Sequence, residues 1–369
     1  MPLITSTFSQ VALWVAKLDK KEGTFMMVAM PNEQNKRTTS QQLSLGDLTD
    51  YQAPLLKQLE EYMQRQVETF EPEVKTLVQE CMHLSGKRLR PILVFATGWP
   101  ALEEPIQAAL VKCAAIVEWV HWATLVHDDI LDNASVRRSH PTLHKTHGVN
   151  TAVLVGDALF AHALETAASF STNKVCRCMA RATRLLCSGE IAQTLRSSKG
   201  KMDEADYFRI IDLKTAQLFA TSCEMGAYLG GYDPAFVKAA EVFGRQLGTA
   251  YQIYDDLIDF FGQEAAFGKT LGTDWTTDKW TLPRILLWQQ MPEERLQLLQ
   301  KQMADNEQAS LELLRPLMQE YHILQLALKA FDQSLNLAQQ ALNPFSDLQV
   351  AQQLLKLLPL IQALPEQLS

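Results

Sequence analysis

The segment AALVKCAAIVEWVHWATLVHDDILD, residues 108–132, decides the fold class of this chain. Most of it is apolar, and it lacks the strict alternation of a half-buried strand, so we predict a buried helix. Yet the segment ends in three carboxylates, Asp128, Asp129 and Asp132. Carboxylates are rarely buried without a partner because removing a charge from water costs several kcal/mol. We therefore expect either open water or a positive charge beside this helix end.

The same helical spacing continues along most of the chain. From LGDLTDYQAPLLKQLEEYMQRQVETF, which begins at Leu45, apolar residues recur every three or four positions almost to the C-terminus. Only 16 Gly and 15 Pro occur in 369 residues, which favours long helices with few tight turns. We predict an all-α fold with one domain over residues 46–369. Residues 1–45 are predicted to be a loosely ordered extension because MPNEQNKRTTSQQ is polar and aperiodic. Met26, Met27 and Met30 leave open that the natural start lies further along the chain.

Composition narrows the classes of function. The net charge of −8 argues against a nucleic-acid partner, which would need a basic face. No uncharged apolar run is long enough to span a bilayer, and the N-terminus lacks the pattern of a signal peptide, so we expect no transmembrane segment. The 6 cysteines include no second pair at metal-ligand spacing, so we expect reduced thiols in a cytoplasmic protein.

The carboxylate motif that ends the first segment occurs a second time. LVHDDILDN at residues 125–133 is echoed by QIYDDLIDF at residues 252–260, and both contain the pattern D-D-x-x-D. Residues i and i+4 of a helix lie on one face, so Asp128 pairs with Asp132, and Asp255 pairs with Asp259. Two like charges on one face repel unless a cation lies between them, and carboxylate oxygens suit Mg²⁺ shared with a phosphate. One copy alone is ordinary surface charge; two copies favour a metal site.

Basic residues flank both carboxylate motifs. SGKRLRP places Lys87, Arg88 and Arg90 at a predicted helix start, SVRR places Arg137 and Arg138 after the first motif, and FGKTLGTDWTTDKWTLP places Lys269 and Lys279 after the second. Each cluster alone could simply complement a helix dipole. Beside paired carboxylates, however, the clusters favour a polyanionic ligand bridged by metal ions.

Several motifs of this chain match those of a known protein family and occur in the same order. The chain contains SGKRLRP, HWATLVHDDILDNASVRRSHPTLH, VGDALFAHALE, LKTAQLFATSCEMGAYLGG and YQIYDDLIDFFG, followed by GKTLGTD and DKWTLP. In these motifs it resembles the trans-isoprenyl (polyprenyl) diphosphate synthases over residues 46–345. The resemblance implies an isoprenoid synthase fold of long, mostly antiparallel helices around a central cavity, usually in a homodimer. It also implies condensation of isopentenyl diphosphate with an allylic diphosphate, head to tail, with two or three Mg²⁺ ions.

The resemblance also implies a role for each matching residue. The metal ligands would be Asp128, Asp132, Asp255, Asp256 and Asp259; the allylic diphosphate would contact Arg137, Lys214, Lys269 and Lys279; isopentenyl diphosphate would contact Lys87, Arg90, His121 and Arg138; and Thr215 and Gln252 would face the developing allylic cation. The chain departs from the family at Asp278, which precedes Lys279 where glycine is usual.

Product length and two alternatives stay open at this stage. Ala123 and Thr124, just before the first carboxylate motif, are small, which favours a product of C20 or longer, although Trp119 and Trp122 could form a cavity floor or simply pack in the core. A terpene cyclase or head-to-head condensing enzyme shares the architecture but usually lacks the second D-D-x-x-D and the isopentenyl site. A regulatory subunit of a heteromeric synthase tends to lose the metal-binding aspartates.

Overall fold

The computed structural model describes residues 45–84, 86–138, 140–197, 200–262, 271–272, 274, 279–304 and 310–368. Residues 1–44, which make up nearly all of the predicted extension, and Lys269 and Asp278 of the loop after the second motif lie outside the described residues. The predicted all-α fold is confirmed. Within the described part of the chain, the only strands form a two-residue antiparallel ribbon, Val136–Arg137 with His140–Pro141.

The described helices follow in chain order. They are α1 Leu45–Val67, α2 Pro72–Cys81, α3 Leu89–Thr97, α4 Glu104–Leu131, α5 Leu143–His147, α6 Val149–Ala168, α7 Lys174–Ser197, α8 Glu204–Ile211, α9 Gln217–Leu229, α10 Pro234–Phe261, α11 Leu282–Gln290, α12 Glu293–Ala304, α13 Ser310–Glu320, α14 Ile323–Leu342, α15 Gln349–Leu355 and α16 Leu358–Gln362. A π-helical turn, Asp212–Ala216, joins α8 to α9.

The two longest helices, α4 and α10, carry the two carboxylate motifs. Each has 28 residues and a proline in its first turn, where the missing backbone N–H costs nothing. Asp233 caps α10 by accepting hydrogen bonds from the backbone N–H groups of Ala235 at 2.8 Å and Phe236 at 3.1 Å. Because the motifs occupy the last turns, both acidic groups lie at helix C-termini.

Helix α9 lies between two hydrophobic clusters. One cluster surrounds α10 and includes Phe219 and Cys223 of α9; the other surrounds α4 and includes Leu218 and Met225 from the opposite face of α9. The π-helical turn that precedes α9 packs against α7 and α10. The 6 cysteines are all free thiols, as the sequence predicts.

One described helix, α4, is long and apolar enough to cross a membrane by length and composition alone. Between its first turn and its terminal aspartates, the helix carries two charged residues, Lys112 and Glu118, so it is not an uncharged run. Moreover, 72% of the apolar window is buried inside the protein, as in the core helix of a globular domain.

Candidate active site

Both carboxylate motifs occupy helix ends that carry no compensating charge. No basic residue lies in the last turn of α4 or of α10, where the helix dipole is negative. Asp128 and Asp132 therefore add negative charge to a negative helix end, and so do Asp255 and Asp259 at the end of α10. Such an arrangement is unfavourable unless cations from elsewhere reach the two ends.

The first of these cations is Lys214, presented by the π-helical turn Asp212–Ala216. Its Nζ atom lies 2.5 Å from a carboxylate oxygen of Glu190 and 3.8 Å from Oδ2 of Asp128, and it donates a hydrogen bond to Gln193 at 3.3 Å. Because π-helical turns are rare and concentrate at functional sites, their occurrence here is informative. The turn brings a lysine directly to the first motif.

The residue after Lys214 reaches the second motif. The hydroxyl group of Thr215 donates a hydrogen bond to Oε1 of Gln252 at 2.7 Å, and Gln252 lies one helical turn before Asp256 on α10. Adjacent residues of one turn thus connect the two motifs: Lys214 reaches Asp128 and Thr215 reaches Gln252. The described structure brings the two acidic helix ends to one site.

A second connection runs along the other side of the site. Asp259 accepts a hydrogen bond from the backbone N–H of Asp274 at 3.0 Å, and the backbone N–H of Lys279 bonds to the carbonyl oxygen of Asp274 at 2.8 Å. The side chain of Lys279 then donates to Oδ2 of Asp132 at 3.0 Å. Asp274 and Lys279 therefore connect the second motif to the first and place a lysine on the first motif.

The middle aspartate of each motif is engaged within the protein. Asp129 is buried and accepts a hydrogen bond from Nε of Arg137 at 2.7 Å. Asp256 is buried and accepts hydrogen bonds from the Tyr207 hydroxyl at 2.6 Å and from Nε2 of Gln252 at 2.8 Å. This geometry does not favour Asp256 as a direct metal ligand or Arg137 as a free diphosphate contact, so both assignments remain predictions.

We call Lys87, Arg90, His121 and Arg138 the basic wall of the site. Burial strongly lowers the pKa of His121, and the charges of Arg90, Arg138, Arg137 and Arg88 lower it further. His121 is therefore neutral at pH 7 and able to donate or accept a hydrogen bond. Nε of Arg90 is buried without a hydrogen-bond partner, and its guanidinium lies 4.8 Å from the Phe219 ring centroid. Lys87 lies exposed nearby in the chain.

Arg88 does not belong to this wall. Its guanidinium bonds to Glu118 at 2.7 Å and to Glu60 at 2.8 Å, and Glu118 is almost fully buried. The backbone of Arg88 is left-handed, with φ of 50°. Of the three basic residues in SGKRLRP, Arg88 is the one that pairs with a buried carboxylate.

The donor set fits a hard divalent cation that is shared with a ligand. Among the described residues, no group of three His, Cys, Asp or Glu side chains could hold a metal by itself. Mg²⁺ commonly uses one or two carboxylates together with substrate phosphates, so two separated carboxylate pairs suit it. Burial raises the pKa of Asp128 to about 6, and Glu190 and Asp132 add to this effect while Lys214 opposes it.

Sequence reasoning missed four residues that shape this site. Glu190 and Gln193 hold Lys214, Tyr207 holds Asp256, and Glu118 removes Arg88 from the basic wall. Glu190 and Gln193 are separated by three positions on α7, as residues on one helix face would be, and this spacing was the available signal.

Comparisons with known proteins agree with this geometry. Residues 71–320 match the family model described as polyprenyl synthetase. The octaprenyl diphosphate synthase of Haemophilus influenzae is 32% identical over 241 residues, which cover 65% of this chain and 73% of that protein. An all-trans-nonaprenyl-diphosphate synthase (geranyl-diphosphate specific) of Rhodobacter capsulatus is 32% identical over 270 residues, or 73% of this chain and 82% of that protein. A polyprenyl synthase of Caulobacter crescentus, crystallised with calcium and isoprenyl diphosphate, has a TM-score of 0.77 and 29% identity, covering 86% and 98% of the two chains.

Proposed function

Because this chain belongs to the polyprenyl synthetase family and is a prenyltransferase, we propose the following reaction. It condenses isopentenyl diphosphate head to tail with an allylic diphosphate and forms a trans-polyprenyl diphosphate of C20 or longer. The reaction depends on two or three Mg²⁺ ions bound with the allylic diphosphate. The Caulobacter crescentus relative, crystallised with calcium and isoprenyl diphosphate, supports a divalent cation in this role.

The observation that carries the proposal is the pair of connections between the two acidic helix ends. Lys214 with Thr215, and Asp274 with Lys279, each join the first motif to the second. Asp128 and Asp132 would hold Mg²⁺ from one side, and Asp255 and Asp259 from the other. The bound ions would neutralise the charge that accumulates on the departing diphosphate.

The basic residues serve the same bond cleavage. When the allylic carbon–oxygen bond breaks heterolytically, its electron pair stays on the departing oxygen and adds one negative charge to the diphosphate. Lys214 and Lys279 already reach the carboxylates that would hold the metal ions beside it. Preorganised cations of this kind stabilise the transition state without reorganisation. Arg137 and Lys269 are assigned to the same diphosphate. Asp128, Asp132, Asp255, Lys214, Thr215 and Gln252 are thus the proposed catalytic residues.

The isopentenyl diphosphate is assigned to the basic wall of Lys87, Arg90, His121 and Arg138. Neutral His121 lies beside two arginines, which suits hydrogen bonding to a diphosphate better than proton abstraction. The new bond forms when the isopentenyl double bond attacks the allylic cation, which the oxygen atoms of Thr215 and Gln252 face. The proton then lost from the isopentenyl unit goes to the released diphosphate, so the reaction needs no side-chain base.

Product length is proposed from the residues before Asp128. Ala123 is fully buried and Thr124 half-buried, and both are too small to block a growing chain. Trp119 and Trp122 are both 0% exposed, as is Ala123, so the proposal rests on the small size of Ala123 and Thr124. Trp119 also packs edge-on against His162, with ring centroids 4.4 Å apart. A product of C20 or longer follows.

We also propose that the enzyme acts as a cytoplasmic homodimer. Five large apolar side chains are exposed on α6 and α7, which pack together: Val149 at 50%, Val153 at 38%, Leu154 at 67%, Ile191 at 59% and Leu195 at 58%. Exposed apolar patches commonly mark interfaces. Light scattering coupled to size-exclusion chromatography should give twice the mass of one chain, and Leu154→Lys should shift it toward one.

The enzyme proposal is tested by incubating the purified protein with Mg²⁺, isopentenyl diphosphate and allylic primers of increasing length, then sizing the products. We expect isopentenyl incorporation and products of C20 or longer. Diphosphate release without isopentenyl incorporation would favour a cyclase. Activity that requires a second, different subunit would favour a regulatory or heteromeric role, and no release with any primer would refute the proposal.

A further inference from the structure

Asp256 takes part in a hydrogen-bond chain that its place in the second motif does not explain. It is 3% exposed, and both of its carboxylate oxygens accept hydrogen bonds from protein groups. The Tyr207 hydroxyl donates to Oδ2 at 2.6 Å, and the amide Nε2 of Gln252 donates to Oδ1 at 2.8 Å. Tyr207 lies on α8, 49 positions earlier in the chain, and is 3% exposed.

This series of hydrogen bonds fixes the orientation of the Gln252 side chain. The amide turns its NH₂ group toward Oδ1 of Asp256, so its carbonyl oxygen points away from that carboxyl group. That carbonyl oxygen accepts the hydroxyl proton of Thr215 at 2.7 Å. Because the hydroxyl has a single proton, its remaining lone pairs are the groups that Thr215 presents on its other sides.

We infer that Tyr207 and Asp256 are positioning residues that orient Gln252 and Thr215 toward the reacting allylic carbon. The inference rests on the proposed function, in which those two oxygen atoms face the allylic cation. An amide held in the opposite orientation would point NH₂ protons toward Thr215 and repel a cation. In this arrangement Asp255 and Asp259 serve the metal, and Asp256 serves the orientation of its neighbours.

The test uses Tyr207→Phe, which removes only the hydroxyl that bonds to Asp256. The matched control is Tyr254→Phe on α10, because the Tyr254 hydroxyl is buried and makes no hydrogen bond. We expect Tyr207→Phe to lower kcat about 10-fold, the usual scale for a group acting only in the transition state. KM for both substrates and the Mg²⁺ requirement should change less than about 2-fold, and Tyr254→Phe should match the wild type.

A double-mutant cycle separates positioning from a merely structural effect. Gln252→Leu removes the amide through which Asp256 reaches Thr215. If Tyr207 acts through Gln252, adding Tyr207→Phe to Gln252→Leu should lower kcat less than about 2-fold further. Independent, multiplicative losses in the double variant would overturn the inference, and so would wild-type kcat in Tyr207→Phe.

A binding measurement tests the role of Asp256 without turnover. Mg²⁺ with inorganic diphosphate should raise the melting temperature of the wild type, because a ligand that binds the folded state stabilises it. Asp256→Asn should keep that rise and Asp255→Asn should lose it. Loss of the rise in Asp256→Asn alone would overturn the inference. A wild type that makes no product with any primer would instead refute the proposed function.

Discussion

Gly248 of α10 is the position where a single methyl group should most directly disturb the site. A Cβ atom at Gly248 would lie 2.7 Å from Cα of Ala216 and 3.0 Å from Cβ of Phe219. Ala216 ends the π-helical turn that carries Lys214 and Thr215. Gly248→Ala therefore forces α10 and this turn apart.

The size of the effect follows from these distances. Carbon atoms in contact prefer a separation of about 3.5–4.0 Å, so the turn and α10 must separate by roughly 1 Å. Overpacking of this kind costs about 1–3 kcal/mol, partly offset by the gain of about 1 kcal/mol for alanine over glycine within a helix. We expect a net loss of up to about 2 kcal/mol in the free energy of unfolding. A displacement of about 1 Å at reacting groups can cost about 100-fold in rate, so kcat should fall about 10- to 100-fold.

The control lies one helical turn earlier on α10. A Cβ atom at Gly244 would lie 2.6 Å from the carbonyl oxygen of Phe219 and 2.7 Å from Sγ of Cys223, beyond the π-helical turn. Thermal unfolding followed by circular dichroism should show a similar loss of stability for Gly244→Ala and Gly248→Ala, while kcat should fall sharply only for Gly248→Ala. Wild-type activity in Gly248→Ala, or an equal loss in both variants, would refute the reasoning.

Three further predictions concern single contacts. Glu118→Ala leaves Arg88 with Glu60 as its remaining partner. Since breaking a buried ion pair is costly, the variant should lose about 3 kcal/mol of unfolding free energy in urea titrations. A loss below about 1 kcal/mol would contradict this prediction. Burial lowers the pKa of His162, so below about pH 6.5 the unfolded chain binds more protons than the folded chain and stability falls with falling pH. His162→Phe should remove that part of the slope, at most about 1.4 kcal/mol per pH unit, and an unchanged slope would count against burial as the cause. Lys214→Gln should lower kcat/KM for the allylic diphosphate at least about 10-fold in steady-state assays, because the charge beside Asp128 is lost; a change confined to KM for isopentenyl diphosphate would argue against its assignment.

The sequence predicted the parts of this structure that depend on local periodicity. The spacing of apolar residues predicted the long helices, and the spacing i, i+4 predicted that Asp128 with Asp132 and Asp255 with Asp259 would act as pairs. The repetition of the motif argued that the two pairs belong to one site. The two connections between helix ends now support that argument from contacts rather than from pattern.

What the sequence could not predict depends on distant partners. Tyr207 and Asp256 meet across 49 positions, and no local rule relates them. Arg88 and Arg90 are equivalent by composition, but a left-handed backbone at Arg88 and the buried Glu118 separate their roles. The π-helical turn also lacks a signal of its own. Its cues are glycines on neighbouring helices, such as Gly189 and Gly248, and their meaning depends on knowing which helices touch.

The central claim is that the ends of α4 and α10 form one metal clamp around a diphosphate. A crystal structure with Mn²⁺ and inorganic diphosphate would test it most directly, because anomalous scattering locates each metal ion. We expect peaks between Asp128 and Asp132 on one side and beside Asp255 on the other, with diphosphate oxygens shared between them. Metal bound to one motif only, or diphosphate held away from both, would contradict the claim.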